Sequence, residues 1–258
     1  MTQLLFIEGV SGVGKSTLVG NLAKALRLMG KQVISFLEFD FNNPIDFYCT
    51  AYFKNAEYDR LCAQYKENVA EIAHYTIPAG EAMLVRYYNQ DTPLFKGKLL
   101  ADLKEAEFCY HPVRLVSLSQ YSEAYSFVWT RFSRTLDETV DYYVFDGSLL
   151  HHPINDMLRN YGADKGSVGA HIAALLNTIR NVHWHVVYLY TDNIGEQLVR
   201  AHRDRGQNTP SNEEISFWEK RYDYDRYVLE TQIGQFESYD VSDDGWEHIL
   251  NRILSTLQ

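Results

Sequence analysis

The stretch Leu4-Leu5-Phe6-Ile7-Glu8-Gly9-Val10-Ser11-Gly12-Val13-Gly14-Lys15-Ser16-Thr17-Leu18-Val19-Gly20 passes from an apolar run, through a glycine-rich turn, into an amphipathic pattern. The apolar run predicts a buried parallel strand and the last part predicts a helix. Between them, Gly9, Gly14, Lys15 and Ser16 fit Gly-x-x-x-x-Gly-Lys-Ser/Thr. A strand, this loop and a helix form the context that a phosphate-binding loop requires. Glycines let successive backbone N–H groups curl around an anion, and the following helix turns its positive end to the phosphates. The loop Gly9, Ser11, Gly12, Val13, Gly14, Lys15, Ser16 and Thr17 is therefore expected to hold a nucleotide. Lys15 would reach the β- and γ-phosphates and Ser16 would ligate Mg²⁺.

Outward from this stretch, Leu18, Leu22, Ala25, Leu26 and Met29 continue at helical spacing to a stop at Gly30. Residues 32–39 predict a second strand, completing a βαβ unit whose carboxyl end carries Glu38, Asp40 and Asn42-Asn43. Residues 44–112 predict helices over 46–75 and 98–107 around an irregular middle, a helical insertion covering an acceptor pocket. A long helix is expected over 113–140, and strands over 142–145, 185–190 and 236–241. Further helices are expected from 155, over 167–180, from 194, over 212–232 and over 245–257. The alternation implies an α/β fold, three-layered, with a parallel sheet flanked by helices. No linker composition interrupts it, so residues 1–258 are expected to form a single domain.

The net charge of −10 argues against a broad nucleic-acid surface but allows a local site for an anionic substrate. Cys49, Cys62 and Cys109 match no metal spacing and read as reduced thiols. No apolar run reaches membrane-spanning length, and Met1-Thr2-Gln3 lacks a basic leader, so the expected location is cytoplasmic.

Asp146 ends an apolar strand, where a second acidic group acts on Mg²⁺. Glu38 and Asp40 are alternatives for the base that takes a hydroxyl proton. Arg200, Arg203 and Arg205, followed by Gly206, Asn208 and Pro210, suggest a cationic lid over residues 200–212 that neutralises a phosphoryl group in transfer. Arg221 and Arg226 read as surface ion pairs in a charged helix. His151-His152 lack a third ligand and read as rim or capping residues, and the loop at Asp243 is expected to border the nucleotide base.

Together these stretches resemble the P-loop kinases of nucleosides and nucleotides, above all the deoxyribonucleoside kinase and thymidylate kinase group. The resemblance implies ATP and Mg²⁺ as cofactors and a small-molecule acceptor, with no nucleic acid and no membrane; a homodimer is left open. It implies that Glu38 acts on the sugar hydroxyl and that Gln120, in Ser119-Gln120-Tyr121 ahead of Arg131, recognises the base; Asp40, at the same strand end as Glu38, is expected to lie at the acceptor as well. Phe145-Asp146-Gly147-Ser148 resembles the Glu/Asp-Arg-Ser motif, with Gly147 in place of its Arg. The basic residue that thymidylate kinases carry after the second strand is absent. The expected activity is transfer of phosphate from ATP to a hydroxyl of a nucleoside-like molecule. Kinases of antibiotics or other metabolites, and a nucleotide-dependent switch, are the alternatives.

Overall fold

A continuous apolar run is stable as a strand only when both faces are covered. Leu4 to Ile7 are wholly buried in β1 (Gln3–Gly9). In the computed structural model, which describes residues 2–242 and 245–257, β1 leads to α1 (Lys15–Leu28) and β2 (Val33–Phe36). Then come β3 (Thr50–Lys54), α2 (Asn55–Gln64), α3 (Val69–His74), β4 (Thr76–Ala79) and β5 (Ala82–Arg86). The short pair β6 (Tyr88–Asn89) and β7 (Thr92–Pro93) precedes α4 (Gly97–Glu105) and α5 (Leu118–Arg134). The rest is β8 (Tyr142–Asp146), α6 (His151–Tyr161), α7 (Lys165–Thr178), β9 (His183–Tyr190), α8 (Ile194–Asp204), α9 (Asn212–Val228), β10 (Glu237–Asp240) and α10 (Trp246–Thr256).

The chain groups into two compact units, each assembled from separate stretches. The first contains Met1–Glu38, Leu136–Asn155 and Ala163–Gln258; the second contains Phe39–Thr135 and Asp156–Gly162. Composition gives no sign of this division, because neither unit is one continuous segment bounded by linkers.

The first unit carries a five-stranded sheet in the order β10-β9-β1-β8-β2, parallel at every pairing. This is the α/β fold expected, with a parallel sheet flanked by helices as in P-loop NTPases. From central β1 the chain goes to β2 and β8 on one side, then crosses to β9 and β10 on the other. The reversal falls at the carboxyl end of β1, the place where open parallel sheets bind ligands. Phe36, Phe145 and Phe6 stack across three strands, with ring centroids 5.2 and 5.3 Å apart. Leu18, Val19, Leu22 and Leu26 bury one stripe of α1 in the same core as Ile7, Val144 and Val187.

The second unit corrects the helical insertion. Residues 50–54 and 76–86 form an antiparallel sheet in the order β3-β5-β4, and the helices are short. The apolar residues of this segment serve both periods: Ala51, Phe53 and Val85 from strands meet Leu61, Ile72 and Leu103 from helices in one core. The helix expected over 113–140 is confined to α5, whose start is set by a capping box. Ser117 Oγ accepts from Gln120 N at 3.2 Å, and Gln120 Oε1 accepts from Ser117 N at 3.1 Å. Tyr121, Tyr125, Val128, Trp129 and Phe132 form its buried face.

Candidate active site

The loop after β1 is shaped by three left-handed glycines: Gly9 (φ 141°), Gly12 (φ 84°) and Gly14 (φ 86°). Space excludes side chains there as well. A Cβ on Gly9 would lie 2.3 Å from the Leu189 carbonyl oxygen, one on Gly12 2.8 Å from Ala201 Cβ, and one on Gly14 2.5 Å from Trp246. Strand pairing, α8 and α10 therefore press the loop into its curl from three directions. Gln197 of α8 adds a hydrogen bond, donating from Nε2 to the Gly12 carbonyl at 2.7 Å. The first turn of α1 has no side-chain cap and no acidic residue, so its N–H groups remain available to an anion. Lys15 is largely buried, and its Nζ donates to the Val10 carbonyl at 3.1 Å.

Ser16 and Asp146 meet as the motif requires. Ser16 Oγ donates to Asp146 Oδ2 at 2.5 Å, across the β1–β8 pairing that sets Ile7 opposite Asp146. Asp146 Oδ1 is buried with no hydrogen-bond partner among the described residues. A buried carboxylate oxygen left in that state is costly unless something cationic completes it. The pair, with its uncommitted oxygen, fits a hard divalent cation that takes its other ligands from phosphates and water.

Glu8 was not singled out from the sequence, and His151 was read only as a rim or capping residue. Glu8, wholly buried in β1, accepts from the backbone N–H groups of Leu149 at 2.8 Å and His151 at 2.9 Å. Burial lifts its pKa to about 7, against the lowering effect of those hydrogen bonds and of the Lys15 charge. A carboxylate inside an otherwise apolar strand was the available signal. His151 is buried rather than at a rim, with Nδ1 3.0 Å from the Gly9 carbonyl oxygen and Nε2 3.9 Å from Glu38 Oε1. Glu38 lies just past β2, separated from it by Leu37, and is one-third exposed, at 33%.

Arg221 requires a correction. Its side chain is fully buried, not on the surface. Nη2 donates to the Leu150 carbonyl at 2.8 Å and lies 2.9 Å from Asp225 Oδ1, a charge contact not aligned as a hydrogen bond. Tyr188 OH donates to Asp225 Oδ2 at 2.7 Å. Arg226 does form the expected exposed pair, with Glu230 at 3.4 Å.

Arg200, Arg203 and Arg205 are exposed at the end of α8, and Arg203 pairs with Asp204 at 3.2 Å. The segment that follows is anchored, since His202 Nδ1 lies 2.7 Å from the Asn208 carbonyl oxygen and Pro210 is buried. Asp243 lies outside the described residues.

The remaining candidates belong to the second unit. Asp40 closes a local turn, its Oδ1 accepting from Asn42 N at 2.8 Å. Gln120 has its amide oxygen in the α5 capping box, and Arg131 is exposed in the last turn of that helix. Arg86 binds the loop that contains Asp40: its guanidinium donates to the carbonyls of Phe41, of Asn43 at 2.6 Å and of Asp46 at 3.3 Å.

No family model matches the chain. Over 110 residues, 40% of this chain and 54% of the relative, it is 30% identical to a thymidylate kinase of Desulfotalea psychrophila. The chain thus spans about half the length of the curated relative it matches. This alignment, the glycine-rich loop after β1 and the parallel order β2-β8-β1-β9-β10 all support the resemblance to P-loop nucleoside and nucleotide kinases. Among the described residues, no helix is long and apolar enough to cross a membrane.

Proposed function

We propose that this protein is an ATP- and Mg²⁺-dependent phosphotransferase that acts on a hydroxyl of a small, nucleoside-like molecule. The observation that carries the reading is the Ser16–Asp146 pair, with its buried uncommitted oxygen, at the mouth of the Gly9–Gly14 loop. In this reading Gly9, Ser11, Gly12, Val13, Gly14 and Thr17 hold the phosphates through the loop and first turn of α1. Lys15 leaves the Val10 carbonyl for the β- and γ-phosphates. Ser16 and Asp146 hold Mg²⁺, which supplies charge neutralisation on the phosphates when bound. Glu38 takes the acceptor's proton, and Arg200, Arg203 and Arg205 stabilise the charge on the phosphoryl group in transfer. The work is mainly positioning and electrostatics. Gln120 and Arg131 are proposed to recognise the acceptor on the strength of the sequence resemblance, and Asp40 from its place after the second strand.

The relative's name supports a nucleotide acceptor as a second reading. Against it stand the two carboxylates after β2, Glu38 and Asp40, which repel a phosphorylated acceptor. ADP release measured with Mg-ATP against nucleosides, nucleoside monophosphates and nucleoside-like antibiotics separates these readings. Lys15→Ala is expected to remove turnover without unfolding the chain. Glu38→Gln is expected to lower kcat about 10²–10⁴-fold with little change in ATP affinity. ATP turnover that no acceptor stimulates would favour a switch over a kinase.

A further inference from the structure

The His151 ring is held from several sides. Its Nδ1 meets the Gly9 carbonyl oxygen at 3.0 Å, its plane stacks on Trp218 with centroids 5.4 Å apart, and its backbone N–H is tied to Glu8. Room for it exists because position 147 is bare. A Cβ on Gly147 (φ 67°) would come within 2.9 Å of His151 Cβ and 3.5 Å of Lys15 Cε. A carbonyl oxygen only accepts, so Nδ1 carries a proton. Burial, then the charges of Lys15, His152 and Arg221, hold the imidazole pKa well below its ordinary 6.5 and keep the ring neutral. Nε2 is therefore a lone pair, and it faces Glu38 Oε1 at 3.9 Å. Two acceptors at that separation make no hydrogen bond until a proton is placed between them.

We propose that His151 is a positioning residue for Glu38, its Nε2 accepting a hydrogen bond from the Glu38 carboxyl once that group has taken the acceptor's proton. The inference rests on the reading of Glu38 as the base. In the step, the acceptor O–H bond breaks and its proton goes to Glu38 Oε1. The acceptor oxygen's electron pair bonds to the γ-phosphorus of ATP. The bond from that phosphorus to the β–γ bridging oxygen breaks, and its electron pair leaves with ADP. Protonated Glu38 turns its O–H to Nε2 and later releases the proton to water. That hydrogen bond is available only to the protonated carboxyl, because two acceptors cannot share one without a proton. The charged and titratable groups around the imidazole are Lys15, Arg221 and His152, with Glu38 facing Nε2 and Glu8 holding the backbone.

The test uses the full chain labelled with ¹⁵N-histidine, followed by long-range ¹H–¹⁵N correlation from about pH 4 to 8, the span of carboxyl and imidazole titration. Wild type, Glu38→Ala and His151→Asn are compared, the last identifying the His151 signals. The expected spectrum shows Nδ1 protonated and Nε2 bare, with Nε2 moving in one step that Glu38→Ala abolishes. A protonated Nε2, or the same step without Glu38, overturns the proposal. If His151→Asn does not fold, Glu38→Ala alone still decides, because it leaves the imidazole in place. In kinetics with an acceptor that the panel identifies, His151→Asn should lower kcat about tenfold, the size of one hydrogen bond. It should leave the ATP KM unchanged and move the acid limb of the kcat profile to lower pH. An unmoved limb overturns the proposal. A wild type without acceptor-dependent ADP release sinks the reading of Glu38 as base instead, while the spectra still report on the hydrogen bond.

Discussion

The two units meet the same demand, an unusual backbone beside polar groups, by different means. Among the described residues of the first unit, every left-handed residue is a glycine: Gly9, Gly12, Gly14, Gly30, Gly147, Gly206 and Gly234. The second unit puts Phe39, Cys49, Gln90 and Tyr110 in that region, with φ of 64°, 49°, 51° and 66°. For a residue with a Cβ this costs about 1–2 kcal/mol. Three of these residues lie in or beside one aromatic cluster, in which Phe39, Tyr48 and Tyr110 have ring centroids 4.5–5.7 Å apart. Arg86 ties the loop beneath it through three carbonyls. The first unit thus has a relaxed backbone and wholly or almost wholly buries the ionisable side chains of Glu8, Asp146, Arg221 and Asp225, while the second also buries Asp46 and Asp156. The second spends packing energy on a strained backbone. Strain of this kind persists where the surroundings over-determine it, and it concentrates at functional sites.

The sharpest way to break the comparison is at the buried charges of the first unit. Arg221→Met leaves Asp225 buried and uncompensated and should cost about 3–5 kcal/mol in equilibrium unfolding. Adding Asp225→Leu should recover most of that loss; a double variant no better than the single would show that Arg221 acts through the Leu150 carbonyl alone.

Glu8 gives a smaller, pH-dependent effect. Its carboxyl ordinarily titrates near 4.5 and is raised to about 7 in the fold, so in that window the folded state holds a proton that the unfolded chain has lost. Its contribution to stability therefore falls by about 3 kcal/mol as the pH rises from about 4.5 through about 7. Buried His151 and His171, the latter lowered to about 3, work in the opposite sense, removing stability as the pH falls through 6.5. The difference between wild type and Glu8→Gln cancels those terms and should carry the Glu8 slope alone. A flat difference would mean that Glu8 is ionised in the fold like an ordinary carboxylate.

In the second unit, Arg86→Met should cost about 2–3 kcal/mol through carbonyls left without their donor. Hydrogen exchange at residues 41–46 should quicken first; a uniform loss of protection would place Arg86 in the general core instead. The smallest effect is the most diagnostic of strain. Gln90 is exposed, so Gln90→Gly removes the Cβ penalty with little packing lost and should stabilise by about 0.5–1 kcal/mol. Destabilisation there would erase the contrast between the units.

Different parts of the chain were legible to different degrees. The turn from Gly9 to Ser16 was legible because its motif is local: one strand, one glycine-rich turn and one helix in sequence. Asp146 stood out because it ends an apolar strand, a place that also suits a turn or cap, and the fold brings it to Ser16 Oγ. Residues 50–86 misled because apolar residues at mixed spacing suit strand and helix alike, and partners such as Thr50 and Arg86 are chosen only in the folded sheet. Arg221 misled because a charged pattern on a helix looks solvated until Leu150, Tyr188 and Asp225 enclose it.

Sequence alone was thus enough for the α/β class, and it singled out the Gly9–Gly14 loop and the Ser16–Asp146 pair, proposed here to hold phosphate and metal, because their residue types stand at short range or at a strand end. Folding settled which other groups join them. Glu8 reaches the N–H groups of Leu149 and His151, His151 reaches Gly9 and Glu38, and Gln197 reaches Gly12, all across long stretches of chain. The physical reason is that hydrogen bonding and desolvation act over a few ångströms. They select among side chains that the parallel sheet brings together, and one-dimensional order does not record that proximity.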